Sequence, residues 1–387
     1  MSWMNPEAQM GRVTIADVAK RAGVSLASTS RALNGQVASA ATVEKVRKAA
    51  TDLGYIPDSA ARSLRTRRTG QLAFAVADVG NPVYVEMMRE IESVIAAEDY
   101  RLVVSRTGDA AGTLDLVRDL NRGYVDGLIL SPLRVTPALV DALEASTVPT
   151  VVIGRLPENT RVDTVMADSE GGVALAVDHL VATGARRIAF LNGPADTTPG
   201  KFRHAGFLRA TAEVGGLTTA EFSAEDFTID AGYAAAAAIF DSAESSWDAV
   251  IAVNDLVGIG VMHAAAEHGL TVPEDLAVIG IDNTTLADVC HPGLTSVDLG
   301  SARRGRKAAQ MLLARMDDAG LEPRAVRVPP SLHLRGSTHA LPSARKAPPT
   351  AEPRTARNRT TGRASAAQST PTAKGTSPRT SGEGRAQ

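Results

Sequence analysis

Apolar residues in the first sixty positions recur at helical spacing in three short bursts. Ile15, Val18, Ala19 and Ala22 share one face of a helix that Thr14 and Asp17 open as a capping pair and Gly23 closes. Val24 tucks into the turn that follows. Ser25 caps a second predicted helix running through Asn34 to Gly35, and Ser39 starts a third, with Val43, Val46, Ala50 and Leu53 on one face and Gly54 at its end. The pattern predicts a small all-α domain of three helices around one apolar centre.

After Thr69 the period changes. Apolar runs at 71–78, 102–105, 127–131, 150–154, 187–192, 249–254 and 276–282 read as buried strands, and amphipathic stretches such as 83–97, 170–182 and 256–268 read as the helices between them. Strand–helix alternation predicts parallel, doubly wound α/β sheets, and this many units predicts two of them side by side with a cleft between. From 340 to 387 the periodicity is lost. That stretch has no aromatic residue, one leucine and many Ala, Pro, Ser, Thr, Arg and Gly, a composition expected to be disordered.

Charge divides the chain in the same places. Residues 1–70 carry 11 basic and 5 acidic groups, a net +6, and residues 340–387 carry 9 and 2, a net +7, within a chain of net charge -2. The middle is therefore strongly acidic. A basic head on an acidic body suits a protein whose head sits on phosphates while its body stays off them, although any small surface-rich domain can be basic. The basic tail suits weak nonspecific attraction to DNA or simple solubility equally well. The single cysteine, Cys290, excludes an intramolecular disulfide and a four-cysteine zinc site and suggests a reducing compartment. The first residues lack a secretory-type apolar segment, and no run reaches about 18 apolar residues, so a cytoplasmic protein without a membrane partner is expected.

If the first two helices form a helix-turn-helix, the second lies in the major groove of double-stranded DNA and presents its early outward residues to base edges. Helical spacing puts Leu26, Ala27, Ser30, Arg31 and Asn34 opposite the inward Thr29, Ala32 and Leu33. Arg31 can pair bidentately with guanine, Ser30 can bond phosphate or base, and Leu26 and Ala27 offer apolar contacts such as those to thymine methyls. The same spacing also fits a plain helical hairpin with a solvated arginine. In the body, polar residues follow the strand runs where open α/β sheets bind ligands: Ser131, Asn254 with Asp255, and Asp282 with Asn283. A strand-end Asp or Asn often only caps the next helix, the reading preferred for Asp168 and Asp255. The chain contains no P-loop, dinucleotide glycine fingerprint, paired zinc histidines or nucleophile elbow, so neither enzyme, cofactor nor metal is expected.

The run VTIADVAKRAGVSLASTSRALNG, followed by LGYIPDSAARSL, closely resembles the amino-terminal domain of the lactose/galactose repressor (LacI/GalR) family, matching its helix, Gly-Val-Ser turn and Ser-Arg-x-Leu-Asn recognition helix. The resemblance implies a DNA-binding domain at 1–56 that uses Thr14, Ser25, Leu26, Ala27, Ser30, Arg31, Asn34 and Tyr55. It also implies a hinge and linker at 57–70 that folds on DNA as a dimer of hinge helices. There Leu64 would wedge into the minor groove, Ala61 would lie close to its partner, and Arg62 and Arg65 would lie near phosphate. A solvated linker is the alternative. Thr29 departs from the family's usual valine, and Asp58 from its usual asparagine.

Segments from GNPVYVEM at Gly80 to VPEDLAVIGIDN at Val272 resemble the family's effector domain, which shares its two-lobed form with periplasmic sugar-binding proteins. This implies an effector-binding and dimerisation domain at 71–338 and a tail at 339–387. Carried over by position, Arg203 and Asp282 are effector contacts, Tyr84 and Phe227 aromatic platforms and Asn254 a further polar contact, with Ser131, Arg155 and Asp168 as additional candidates. Asp298 and Leu299 stand where relatives often carry a polar residue, sometimes glutamine. The implied protein is a repressor binding a palindromic operator as a homodimer, since the tail lacks a tetramer-forming leucine heptad. Its effector is expected to be sugar-like, with a purine or nucleoside as second choice. A periplasmic binding protein, the rival for the body, would need an export signal and no DNA head.

Overall fold

Each head helix begins where a side chain can satisfy its free amides. In the computed structural model, which describes residues 13–35, 37–56, 68–241 and 246–339, α1 (Ile15–Ala22) opens on a capping box. The Thr14 amide donates to Asp17 Oδ2 at 2.9 Å and the Asp17 amide to Thr14 Oγ1 at 3.4 Å. Gly23, at φ +68°, turns the chain out of α1 in a conformation that only glycine adopts without penalty. Ser25 caps α2 (Leu26–Leu33) through the Ser28 amide, and Ser39 caps α3 (Ala40–Leu53) through that of Thr42. Val18, Ala32, Val46 and Ala49 form the centre, with Val24, Val43, Ala50 and Leu53 packed around it. Thr29 is fully buried there, and its hydroxyl donates to the Ser25 carbonyl at 3.0 Å, so the departure from valine leaves no orphaned polar atom.

The body holds two six-stranded sheets among the described residues. The first contains β1 (Gln71–Val76), β2 (Arg101–Arg106), β3 (Gly127–Ser131), β4 (Thr150–Ile153), β5 (Asp163–Ala167) and β11 (Ala325–Val328), all parallel in the order β2-β1-β3-β4-β5-β11. The second contains β6 (Arg187–Asn192), β7 (Thr218–Ser223), β8 (Ala249–Ala252), β9 (Ala277–Ile281), β10 (Thr295–Asp298) and β12 (Ser331–His333) in the order β7-β6-β8-β9-β10-β12, with only β12 antiparallel. The helices are α4 (Pro82–Ala96), α5 (Ala110–Leu120), α6 (Pro137–Glu144), α7 (Ser169–Ala182), α8 (Thr198–Ala212), α9 (Ile229–Phe240), α10 (Asp255–Glu267), α11 (Thr285–Val289) and α12 (Ser301–Asp317). Every expected strand is found within two residues of its predicted ends.

Helices on both faces explain the continuous apolar runs. Along β1, Leu72, Phe74 and Val76 face α4 and α12, while Ala73 and Ala75 face α5 and α6 through Val117, Leu120, Leu139 and Leu143. The chain crosses between sheets after β5, after β10 and after β11. The crossings touch: the Asp168 amide donates to the Val328 carbonyl at 3.2 Å. A Cβ on Gly172 would meet Leu299 Cδ2 at 2.7 Å, and one on Gly300 would meet Val328 Cγ1 at 2.5 Å. Gly300 also sits at φ +73°. The hinge at 57–67 and the tail from 340 lie outside the described residues, with Ala61, Arg62, Leu64, Arg65 and Asp58 among them.

Candidate effector cavity and nucleic-acid interface

Parallel strands deliver their carboxyl ends, and the helices that follow deliver their amino ends, to one side of each sheet. A cavity of about 370 Å³ lies there, walled by residues from both sheets. Tyr84, Ser131 and Arg155 come from the first lobe and Arg203, Phe227, Asn254 and Asp282 from the second. Asp168 is not in this wall. It caps α7, its carboxylate accepting from the Gly171 amide at 3.2 Å, and it lies 3.8 Å from Arg327. The cap reading thus fits Asp168, whereas the cap of α10 falls on Asn254, one residue before Asp255.

At the centre, Arg203 donates to Asp282 Oδ1 at 3.0 Å and to the Val253 carbonyl, with both charged side chains under a tenth exposed. Asp282 holds φ +117°, a strained conformation for a side chain with a Cβ. Burial raises its carboxyl above the usual range, against the opposing pull of Arg203 and Arg304. Behind it Asp255 is a strut: its Oδ2 accepts from the Thr284 amide at 2.7 Å and the Thr284 hydroxyl at 2.9 Å, and its Oδ1 from the Ser296 hydroxyl at 2.5 Å. Burial, then the charge of Asp282, pushes the Asp255 carboxyl up to about 7.

Three rings wall the cavity. Tyr84 packs edge-on to Phe74 with its hydroxyl beside that of Ser131, whose hydroxyl donates to the Ile153 carbonyl at 3.2 Å; burial and the Asp282 charge raise the phenol to about 12. Phe227 lies against Gly193, where a Cβ would meet its Cε1 at 2.6 Å, so glycine makes room for the ring. Asn254 spends both ends of its amide, accepting from the Val257 amide at 2.8 Å and donating to the Phe227 carbonyl at 2.9 Å, which makes it a support for that ring. Phe202, which sequence reasoning passed over, lies 3.9 Å beneath the Arg155 guanidinium. Arg304 was missed as well. It stands four residues before Ala308 on the buried stripe of α12, and a charged residue at a core-facing helical position was a signal present in the sequence. Among the described residues, no cluster of His, Cys, Asp or Glu could hold a metal ion.

On the head, Leu26, Ala27, Arg31 and Asn34 of the α2 face are exposed and Ser30 is half-buried. Asn34 donates to the Ser30 carbonyl at 2.6 Å, and the Arg31 Nε lies 3.4 Å from the Ala27 carbonyl. Thr14 and Ser25 are the caps of α1 and α2, and Tyr55 is half-buried against the head's apolar centre. No described helix is long and apolar enough to cross a membrane.

Two family models match the chain: bacterial regulatory proteins of the lacI family over residues 14–58, and a periplasmic binding protein-like domain over 177–338. The HTH-type transcriptional repressor PurR of Vibrio parahaemolyticus is 33% identical over 332 residues, covering 85% of this chain and 99% of that one. A solved complex of the transcriptional regulator CelR with cellobiose is similar at TM-score 0.63 and 31% identity, covering 84% of this chain and all of that one. A lac repressor dimer bound to operator and the anti-inducer ONPF is similar at TM-score 0.76 and 26% identity, covering 85% and 100%.

Proposed function

Because the chain belongs to the lacI family of bacterial regulatory proteins, we propose that it represses transcription from the cytoplasm as a homodimer on a palindromic operator, under the control of a polyhydroxylated, sugar-like effector. One observation carries the reading: a capped helix-turn-helix with Arg31 exposed on its second helix belongs to the same chain as a two-lobed cavity built around the buried Arg203–Asp282 pair.

The cavity chemistry favours a polyol over a planar purine. A guanidinium and a carboxylate fixed side by side match the donors and acceptors of neighbouring hydroxyls, and the Tyr84, Phe202 and Phe227 rings suit the apolar face of a sugar. The solved relative with cellobiose supports this choice, while the purine repressor among the relatives keeps nucleobases in the test. Control follows from the crossings. One arrangement of the lobes holds the heads at half-site spacing, and an effector that bridges the cavity biases the lobes towards another.

Footprinting of the purified protein on genomic DNA, with and without sugars and nucleobases, tests this. Protection of a palindrome that one of the polyols changes is expected. Protection altered only by a nucleobase removes the sugar assignment, and the absence of any protected palindrome removes the operator reading.

A further inference from the structure

Arg304 is a buried charge that shares its buried carboxylate neighbour, Asp282, with Arg203. It is 8% exposed, lies in the cavity wall, and its Nε has no hydrogen-bond partner. The carboxylates around it are engaged elsewhere. Asp282 holds Arg203 through Oδ1, Asp298 accepts from the Gly300 amide and lies 3.7 Å from Arg303, and Glu86 accepts from the Ser301 hydroxyl at 2.6 Å. Two buried guanidinium groups therefore face one buried carboxylate at the cavity floor. The Nε of Arg203 is likewise unpartnered.

The placement of Arg304 is fixed rather than incidental. It stands in the first turn of α12, whose amino end adds positive potential of its own. The next residue, Gly305, lets α12 lie directly on α4: a Cβ there would meet the Met87 carbonyl oxygen at 2.6 Å. Burial, set against the nearby charge of Asp282, lowers the guanidinium to about 10, so it remains charged at neutral pH. A buried cation whose carboxylate neighbour is already engaged by a second guanidinium is costly to keep out of water, and a neutral sugar leaves that cost in place. A bidentate anion removes it through charge-assisted hydrogen bonds.

We infer that the effector carries a carboxylate or phosphate group that seats against Arg304, so that the ligand class is an acidic or phosphorylated sugar rather than a neutral one. The inference rests on the proposed effector role of this cavity. Galacturonate, gluconate, glucose 6-phosphate and ribose 5-phosphate, each beside its neutral parent sugar, probe the carboxylate and phosphate arms separately, with inorganic phosphate and acetate as bare anions. Thermal unfolding and calorimetry of the full-length protein read the result. At least one anionic sugar is expected to bind ten-fold or more tightly than its parent, and the arm in which it falls identifies the group.

Arg304→Leu is expected to abolish that preference and to raise the melting temperature of the unliganded protein by a few degrees, because the costly buried charge is gone. Arg304→Gln, which keeps length and donors without the charge, should lose the preference too. Equal affinity for acid and parent, silence of every anionic arm, or an anion preference that survives in both variants overturns the inference. A fall in melting temperature for both variants also overturns it, since Arg304 would then be structurally paired. Release of operator DNA by a neutral sugar alone would keep the regulator reading and remove the anion.

Discussion

Arg203 and Asp282 meet at 3.0 Å with less than a tenth of either exposed, and Arg304 lies near the same carboxylate, so removing Asp282 strands guanidinium charge in a low-dielectric site. Asp282→Ala should cost about 3–5 kcal/mol in urea unfolding and abolish effector binding; a loss below about 1 kcal/mol would mean that the guanidinium groups are solvated. Asp255 gives a pH signature. Its carboxyl stands at about 7 in the folded chain against 3.8 ordinarily, so the folded form keeps a proton that the unfolded form releases. Its stabilising contribution is full below about pH 4 and is lost as pH rises through about 7. In Asp255→Asn, stability should change less between these limits than in the parent; identical pH profiles would refute it. On the head, Arg31→Ala should weaken operator binding by about 1–3 kcal/mol relative to random DNA. Equal loss on both would mean that the side chain meets phosphate. Ser131, Asn254 and Asp282 were legible in the sequence because strand ends announce themselves. Arg304 was legible as a charge on the apolar stripe of α12, whereas Phe202, early in α8, faces the cavity only because of which sheet that helix covers.

Among the elements, the long apolar strands were readable and the edges were not. β7 has only exposed and half-buried positions, and β11 and β12 are short with two exposed residues each, so none makes a continuous buried run. β5 is interior but opens on the polar Asp163 and Thr164, so Asp163–Ala167 makes no continuous apolar run. The helices depend on close approach. Gly305→Val places two methyl groups where even a Cβ meets the Met87 backbone, and separating α12 from α4 should cost about 1–3 kcal/mol of stability. Chemical denaturation measures this, and an unchanged midpoint would show that α12 shifts freely.

For the molecule as a whole, the proposed control makes the crossings between sheets the place where an effector's preference would become a movement of lobes. Gly300 combines φ +73° with a Cβ direction blocked by Val328. Gly300→Ala adds about 1 kcal/mol of strain to the present arrangement and should move the effector concentration for half-release of operator about five-fold. Fluorescence anisotropy on labelled operator reads the shift, and an unmoved midpoint would place the switch elsewhere. The two-lobe plan was legible because strand and helix periods alternate so regularly. The identity of the residues that finish the first lobe was not, since pairing between β5 and β11 joins segments about 160 residues apart.

That pairing sets an order of events on the ribosome. The head helices emerge first and need nothing downstream for their apolar centre. The first lobe lacks Ala308, Ala309, Met311 and Leu312 of α12 and the whole of β11 until almost the entire body has been synthesised. A chain interrupted before residue 301 would thus carry the head without Arg304 and without a finished first lobe. Premature termination or proteolytic trimming there would yield fragments that keep the head's apolar centre but lack Arg304 and the last strand of the first lobe. The parallel strand at the end of the body thereby ties completion of the first lobe, and of the cavity wall it helps to build, to synthesis of nearly the whole body.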